Sequence, residues 1–150
     1  MNDKGAELFS SICAVLQSQK LGVLATQGEV YPYCTLVGFV ATDDCKEVVF
    51  ATLRDTSKFR NVSKNKHVSL LIDTQKNSAT DFKDAEALTV LGTAGEVKEE
   101  RKKEYVALYL KKHPYLEDFI KTPNCAVMRV SVEKYILVQN FQNVLEYTVE

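Results

Sequence analysis

Residues 48–73 read VVFATLRDTSKFRNVSKNKHVSLLID, and this stretch decides how the rest of the chain is interpreted. Both ends are apolar and rich in β-branched residues, which is typical of buried strands. Between them, residues 52–66 (TLRDTSKFRNVSKNK) are polar and contain several hydroxyl groups and cations. A hairpin loop has only about two to five residues, so this polar segment is too long to be a simple turn.

The composition is that of one globular domain over residues 1–150. The chain is 45% hydrophobic and 26% charged, which is enough apolar material for a sizeable core. Its net charge of -1 lacks the basic excess that nucleic acids or anionic membranes attract. No signal-peptide pattern is present, and no window approaches a membrane span. We therefore expect a cytoplasmic protein, with neither nucleic acid nor membrane as a partner.

Cysteines and histidines give no pattern of a metal site. The cysteines form no C-x-x-C pair, and no histidine lies near them at zinc-ligand spacing. We expect free thiols and no metal ligands at Cys13, Cys34, Cys45 and Cys125. His67 precedes an expected strand, and His113 lies at the expected end of a helix, where a cationic side chain is favourable.

Hydrophobic periodicity predicts an antiparallel sheet with two longer amphipathic helices. The helices are predicted over residues 6–19 and 99–113, where apolar residues recur at helical spacing. The strands are predicted over 20–26, 32–42, 47–53, 67–74, 87–97 and 125–141, the last being a strand pair or one long bent strand before a short tail. Gly92 and Gly95 predict bulges or sharp bends, which suit a barrel.

The polar segment itself predicts a short helix over residues 57–65. Asp55 or Thr56 is a natural N-cap, and Phe59 and Val62 would face the sheet. The free N–H groups at the helix start would then point over the end of the preceding strand.

Those N–H groups and the nearby side chains predict a phosphate-binding site. The hydroxyls of Thr52, Thr56 and Ser57 and the cation of Lys58 would contribute to it, and Arg60 would add a second charge. Taken alone, the same residues also suit a capped surface helix with solvated lysines.

The order of these segments resembles the pyridoxamine 5'-phosphate oxidase-like family of FMN-binding split barrels. The resemblance runs from Leu8 to Phe141 through LGVLAT, PYCTLVGFV, VVFAT followed by T-S-K-x-x-N, VSLLID and LTVLGTAGEV. It implies a mainly β protein with flanking helices, built on a six-stranded antiparallel Greek-key split barrel. It also implies a homodimer with FMN in two clefts at the dimer interface.

The resemblance implies cofactor contacts on two strands and the helix start. They fall on Thr35, Leu36, Val37, Ala51, Thr52, Thr56, Ser57, Lys58 and Arg60. The expected contacts of the strand residues are largely through the main chain. No catalytic residue is assigned, because hydride transfer is a property of the flavin.

Several family features are missing, which argues against pyridoxamine phosphate as the substrate. CTLVGFVAT carries no cation, the chain end FQNVLEYTVE lacks the R-x-H signature, and Ala87 stands where a glutamine is expected. The resemblance therefore implies a small FMN-dependent oxidoreductase acting on an unassigned small molecule. The alternatives are a flavin carrier or sensor, and, with less support, a heme-binding protein.

Overall fold

The computed structural model describes residues 2–150 as an antiparallel β-barrel flanked by helices. In chain order the elements are α1 (Asp3–Ser18), β1 (Leu21–Gln27), β2 (Pro32–Ala41), β3 (Glu47–Leu53), α2 (Ser57–Lys64), β4 (His67–Asp73), α3 (Asp81–Asp84), β5 (Ala87–Glu96), α4 (Glu99–Lys112), α5 (Glu117–Ile120), β6 (Cys125–Gln139) and β7 (Asn143–Thr148). Helix α1 begins before its apolar stripe because the Asn2 side chain accepts the Gly5 N–H at 2.7 Å and caps it.

Strands β1 to β6 form the closed barrel. Their order is β3-β2-β1-β4-β5-β6, and pairing of β3 with β6 closes the ring. Strand β4 returns to lie beside β1 after the first three strands, which is the spatial order of a Greek key. The predicted six-stranded antiparallel barrel is thereby confirmed.

The last residues form a seventh strand, so the expectation of a short tail was wrong. Strand β7 pairs antiparallel with β6, with Lys134 opposite Thr148 and Gln139 opposite Asn143. Its side chains are exposed or half-buried, which leaves only a weak hydrophobic pattern in the sequence.

The two glycines of β5 behave differently. The register of β5 and β6 shifts between Leu91 and Gly92, and a Cβ on Gly92 would lie 2.2 Å from the Ser131 carbonyl oxygen. The predicted bulge is confirmed there. Gly95 keeps regular pairing opposite Arg129, so no irregularity occurs at that position.

Two hydrophobic clusters hold the helices on the barrel. Inside the barrel, Leu24, Phe39 and Phe50 are fully or almost fully buried, and α1 and α2 pack on this cluster. On the outside, Tyr105 and Tyr109 of α4 pack with residues of β3 and β6. Within residues 2–150, no helix has the length and apolar character needed to cross a bilayer.

Candidate functional site

The barrel is split between β2 and β3. These strands pair over only three residues, Phe39–Ala41 opposite Val48–Phe50. Before that point β2 pairs with β1 alone, and beyond it β3 pairs with β6 as far as Leu53. One edge of residues 32–38 therefore has no strand partner in the described chain, and backbone polar groups there remain open.

Five of the predicted contact residues lie along this split. Thr35, Leu36 and Val37 lie on the open edge of β2, and Ala51 and Thr52 lie where β3 departs from it. The Leu36 side chain is 66% exposed on the outer face of the sheet, whereas Val37 is buried. The structure thus brings the backbones together but directs alternate side chains to opposite faces.

Helix α2 follows β3 directly, and its start is held by two threonine hydroxyls. Thr56 is the N-cap, accepting the Phe59 N–H at 3.3 Å. Its hydroxyl donates to the Leu53 carbonyl oxygen at 2.9 Å and lies 2.9 Å from the Thr52 hydroxyl. Because Thr52 is also buried, these hydroxyls stabilise the helix start and are less available to a ligand than the sequence indicates.

Ser57 and Lys58 are the more available groups. The Ser57 oxygen accepts from the Arg60 guanidinium at 3.1 Å, which leaves the Ser57 proton free to donate. Arg60 also donates to the Asp55 carbonyl oxygen at 3.2 Å. Lys58 has no carboxylate within 4.0 Å in the described chain. The first N–H groups of α2 lack intrahelical acceptors, so this helix start can receive an anion.

A polar contact that sequence reasoning missed ties α2 to the first hairpin. Asn61 Nδ2 donates to the buried Thr26 hydroxyl at 3.0 Å. The Thr26 hydroxyl in turn lies 3.5 Å from the carbonyl oxygen of Tyr33, at the open part of β2. Asn61, the asparagine of the T-S-K-x-x-N segment, could have indicated a polar contact here, but its partner Thr26 is 35 residues away in sequence.

Thr35 carries the most informative polar atom of the site. Its Oγ1 is the one buried side-chain oxygen or nitrogen of residues 2–150 that has no hydrogen-bond partner. Leaving such a group unsatisfied costs about 1–3 kcal/mol. An unsatisfied hydroxyl on an open strand edge is what a ligand-contacting position would show before the ligand binds.

The family model for pyridoxamine 5'-phosphate oxidase matches residues 10–139 of this chain. The chain belongs to that family. No curated protein sequence is significantly similar to it over any part.

Solved structures share the fold at low sequence identity. A heme-binding protein from Mycobacterium smegmatis superposes with a TM-score of 0.82 at 18% identity, covering 99% of this chain but 59% of that one. A protein related to general stress protein 26 from Clostridium acetobutylicum gives 0.73 at 16% identity, covering 95% of each chain. A FAD-binding protein from Mesorhizobium loti gives 0.69 at 16% identity, covering 86% of this chain and 90% of that one.

In this member of the oxidase family, the site residues offer donors for an anionic group. The uncommitted ammonium of Lys58, the N–H groups of the α2 start and the Ser57 hydroxyl are donors for an anion. The unsatisfied Thr35 hydroxyl and the open β2 edge offer polar contacts of the kind a flavin ring requires.

Both histidines of this oxidase-family chain contact polar atoms of the chain itself. His113 is fully buried, with Nε2 donating to the Phe39 carbonyl oxygen at 2.7 Å and Nδ1 3.1 Å from the Tyr115 hydroxyl. Burial lowers the pKa of His113, which disfavours the cationic form that is favourable at an exposed helix end. His67 is exposed, and its Nδ1 lies 3.2 Å from Asn65 Oδ1. Residues 2–150 contain no cluster of three His, Cys, Asp or Glu that could hold a metal.

Proposed function

We propose that this chain binds FMN in the split between β2 and β3 and works as a flavin-dependent oxidoreductase on a small molecule. The observation that carries the proposal is the open edge of β2 with the unsatisfied Thr35 hydroxyl on it. Thr35 lies on β2. The neighbouring strand β3 leads directly into the start of α2, which can receive an anion. The family and the FAD-binding relative from M. loti support a flavin at this site.

The roles of the residues follow from their contacts. Lys58, Ser57 and the first N–H groups of α2 bind the cofactor phosphate, and Arg60 adds a second positive charge beside them. Thr52 and Thr56 hold the helix start in place through their mutual contact. Thr35, Leu36, Val37 and Ala51 contact the ring.

When bound, the flavin supplies the electron-transfer chemistry. The chain orients the ring through backbone groups of β2, and we assign no acid or base at the split. Pyridoxamine phosphate is not the proposed substrate, because β2 carries no cation between residues 34 and 42. A nicotinamide or another donor would supply electrons to a small acceptor.

We also propose that two copies of the chain form a homodimer over the outer face of the sheet. Leu21, Leu36 and Leu71 are 53%, 66% and 40% exposed on the neighbouring strands β1, β2 and β4. A cavity of about 500 Å³ lies on the same face, lined in part by Val23, Leu36 and Leu71. Apolar faces of this kind are typical of interfaces.

Light scattering tests the dimer. We expect a mass of twice 16.9 kDa at micromolar concentration in the FMN-bound protein. A monomer mass with FMN still bound would contradict the shared site.

The absorption spectrum of the purified protein tests the function. We expect flavin bands that bleach on anaerobic addition of NADH or NADPH and return with oxygen. Reduction by dithionite but by neither nicotinamide would contradict a nicotinamide-dependent reductase and favour a carrier, a sensor or a different donor. A Soret band on adding hemin, with no flavin bound, would favour the heme-binding alternative suggested by the M. smegmatis relative.

A further inference from the structure

A second cavity, separate from the split, lies where β4 ends and β5 begins. Its volume is about 410 Å³, within the usual range for small-molecule sites. The loop 74–86, the start of β5 and the hairpin between β6 and β7 surround it. None of the residues assigned to the flavin site lines this cavity.

The cavity lining is negatively charged, and Lys76 of the surrounding loop interacts electrostatically with Asp81 without forming a direct ion pair. Asp73, Asp81 and Glu86 line it, and no Lys or Arg does. In the described chain, no basic side chain lies within 4.0 Å of these three carboxylates. The Asp81 carboxylate accepts the N–H groups of Lys76 and Ser78, which lowers its pKa and keeps it ionised.

Two aromatic rings form the other part of the lining. Phe82 and Phe141 are 68% and 59% exposed, and their ring centroids lie 5.3 Å apart in an edge-to-face arrangement. Phe141 has a φ of 68°, a left-handed conformation that bulky residues rarely adopt. The hairpin thus presents an aromatic ring where an asparagine or glycine would be the usual residue.

Negative charge beside exposed aromatic rings complements a cation with an apolar surface. The faces of aromatic rings attract cations, and carboxylates add to that attraction. A metal ion is a poor match, because the carboxylates do not converge into a cluster that could ligate one. The space and the rings suit a larger, weakly hydrated cation.

We propose that this cavity binds an organic ammonium ion, with Phe82 and Phe141 contacting its apolar face and Asp73 and Glu86 supplying the negative charge. Asp81 holds the loop in shape through its backbone contacts. The proposal does not require bound FMN, but Asp73 also lines the cavity on the face proposed to form the dimer.

Binding of choline, compared with its neutral isostere in which a carbon replaces the nitrogen, tests the charge requirement. The protein is used as purified, and binding is followed by two-dimensional NMR. We expect choline to bind about ten-fold more tightly than the isostere, and to weaken when salt is raised to about 0.5 M. Equal affinity for the two compounds would overturn the proposal.

Two substitutions locate the site. Phe82→Ala and Glu86→Gln should each weaken choline binding about five-fold or more. Phe82 is exposed, and Gln at position 86 can still accept the hydrogen bond that Gln139 donates at 2.7 Å, so both variants should fold. Glu133→Gln, at an exposed position on β6, is the matched control and should bind choline normally.

Two outcomes of these variants would overturn the proposal. One is unchanged choline affinity in both Phe82→Ala and Glu86→Gln. The other is a change in the oligomeric mass of Phe82→Ala by light scattering, because it would mean that the rings pack against another copy of the chain.

Discussion

Helix α2 has a lysine at its start and helix α4 has a lysine at its end. The two lysines differ in whether the chain supplies them with partners. At the start of α2, Lys58 has no ionic partner in the described chain. At the end of α4, Lys112 donates to the Leu16 carbonyl oxygen at 2.9 Å and lies 4.0 Å from the centre of the Phe39 ring. His113, the next residue, is buried with both ring nitrogens in contact with polar atoms.

The difference separates polar groups that stabilise the fold from polar groups that are available to a ligand. The α4 end is satisfied within the chain, so changes there should act on stability. The Lys58 ammonium has no ionic partner and the Thr35 hydroxyl has no hydrogen-bond partner in the described chain, so changes there should act on binding. The following predictions test that contrast from the largest effect to the smallest.

Replacing His113 should produce the largest loss of stability. His113→Ala removes one buried and one part-buried hydrogen bond and leaves a cavity, and we expect a loss of about 3 kcal/mol in the free energy of unfolding. Urea denaturation at fixed protein concentration measures it. Lys58→Ala, the counterpart at α2, should change stability by less than about 0.5 kcal/mol. Similar losses of stability in the two variants would contradict the contrast between the α4 end and the α2 start.

Replacing Lys58 should instead weaken FMN binding. Loss of a charge-assisted contact to the phosphate should cost about 1.5–3 kcal/mol, or roughly ten- to a hundred-fold in affinity. Riboflavin, which lacks the phosphate, should be affected much less. Fluorescence titration with both ligands measures this. Lys64→Ala is the control, since Lys64 lies at the other end of α2 and pairs with Glu29 at 3.4 Å. Equal losses for FMN and riboflavin would mean that Lys58 does not bind the phosphate.

The sequence predicted local features of this site well, because they depend on neighbouring residues. An N-cap at Asp55 or Thr56 and the short helix after β3 follow from residues within one turn of each other, and the structure places the cap at Thr56. The open edge of β2 depends on where pairing with β3 stops, and no local pattern encodes that register. His113 contacts the Phe39 carbonyl oxygen, 74 residues away, and so no rule about helix ends could predict its surroundings.

Thr35 offers a test in which stability and binding change in opposite directions. Thr35→Val replaces the unsatisfied hydroxyl by a methyl of similar size, so the flavin-free protein should be equally or more stable, by up to about 1 kcal/mol. FMN affinity should fall by about the same amount, because the hydroxyl loses its ligand contact. Thr35→Ser should keep the affinity. A flavin-free Thr35→Val protein that is clearly destabilised would show that the hydroxyl already has a partner.

Lys112 should change how stability depends on pH, an effect confined to the alkaline range. Burial lowers the pKa of Lys112 to about 8, against 10.5 for an ordinary lysine. Between these two values the folded chain has lost the Lys112 proton while the unfolded chain keeps it. The unfolded state then binds more protons, so this group makes the free energy of unfolding rise with pH across that window.

Buried Cys45 and Tyr109 have raised pKa values of about 12 and act in the opposite direction at high pH, so the measurement must be a difference. Lys112→Met keeps the apolar stem but removes the charge. The free energy of unfolding of the wild type minus that of Lys112→Met should therefore increase from about pH 8 to pH 10.5. A flat difference would show that the Lys112 ammonium is as well solvated as Lys58, and the contrast between the two helix ends would then rest on His113 alone.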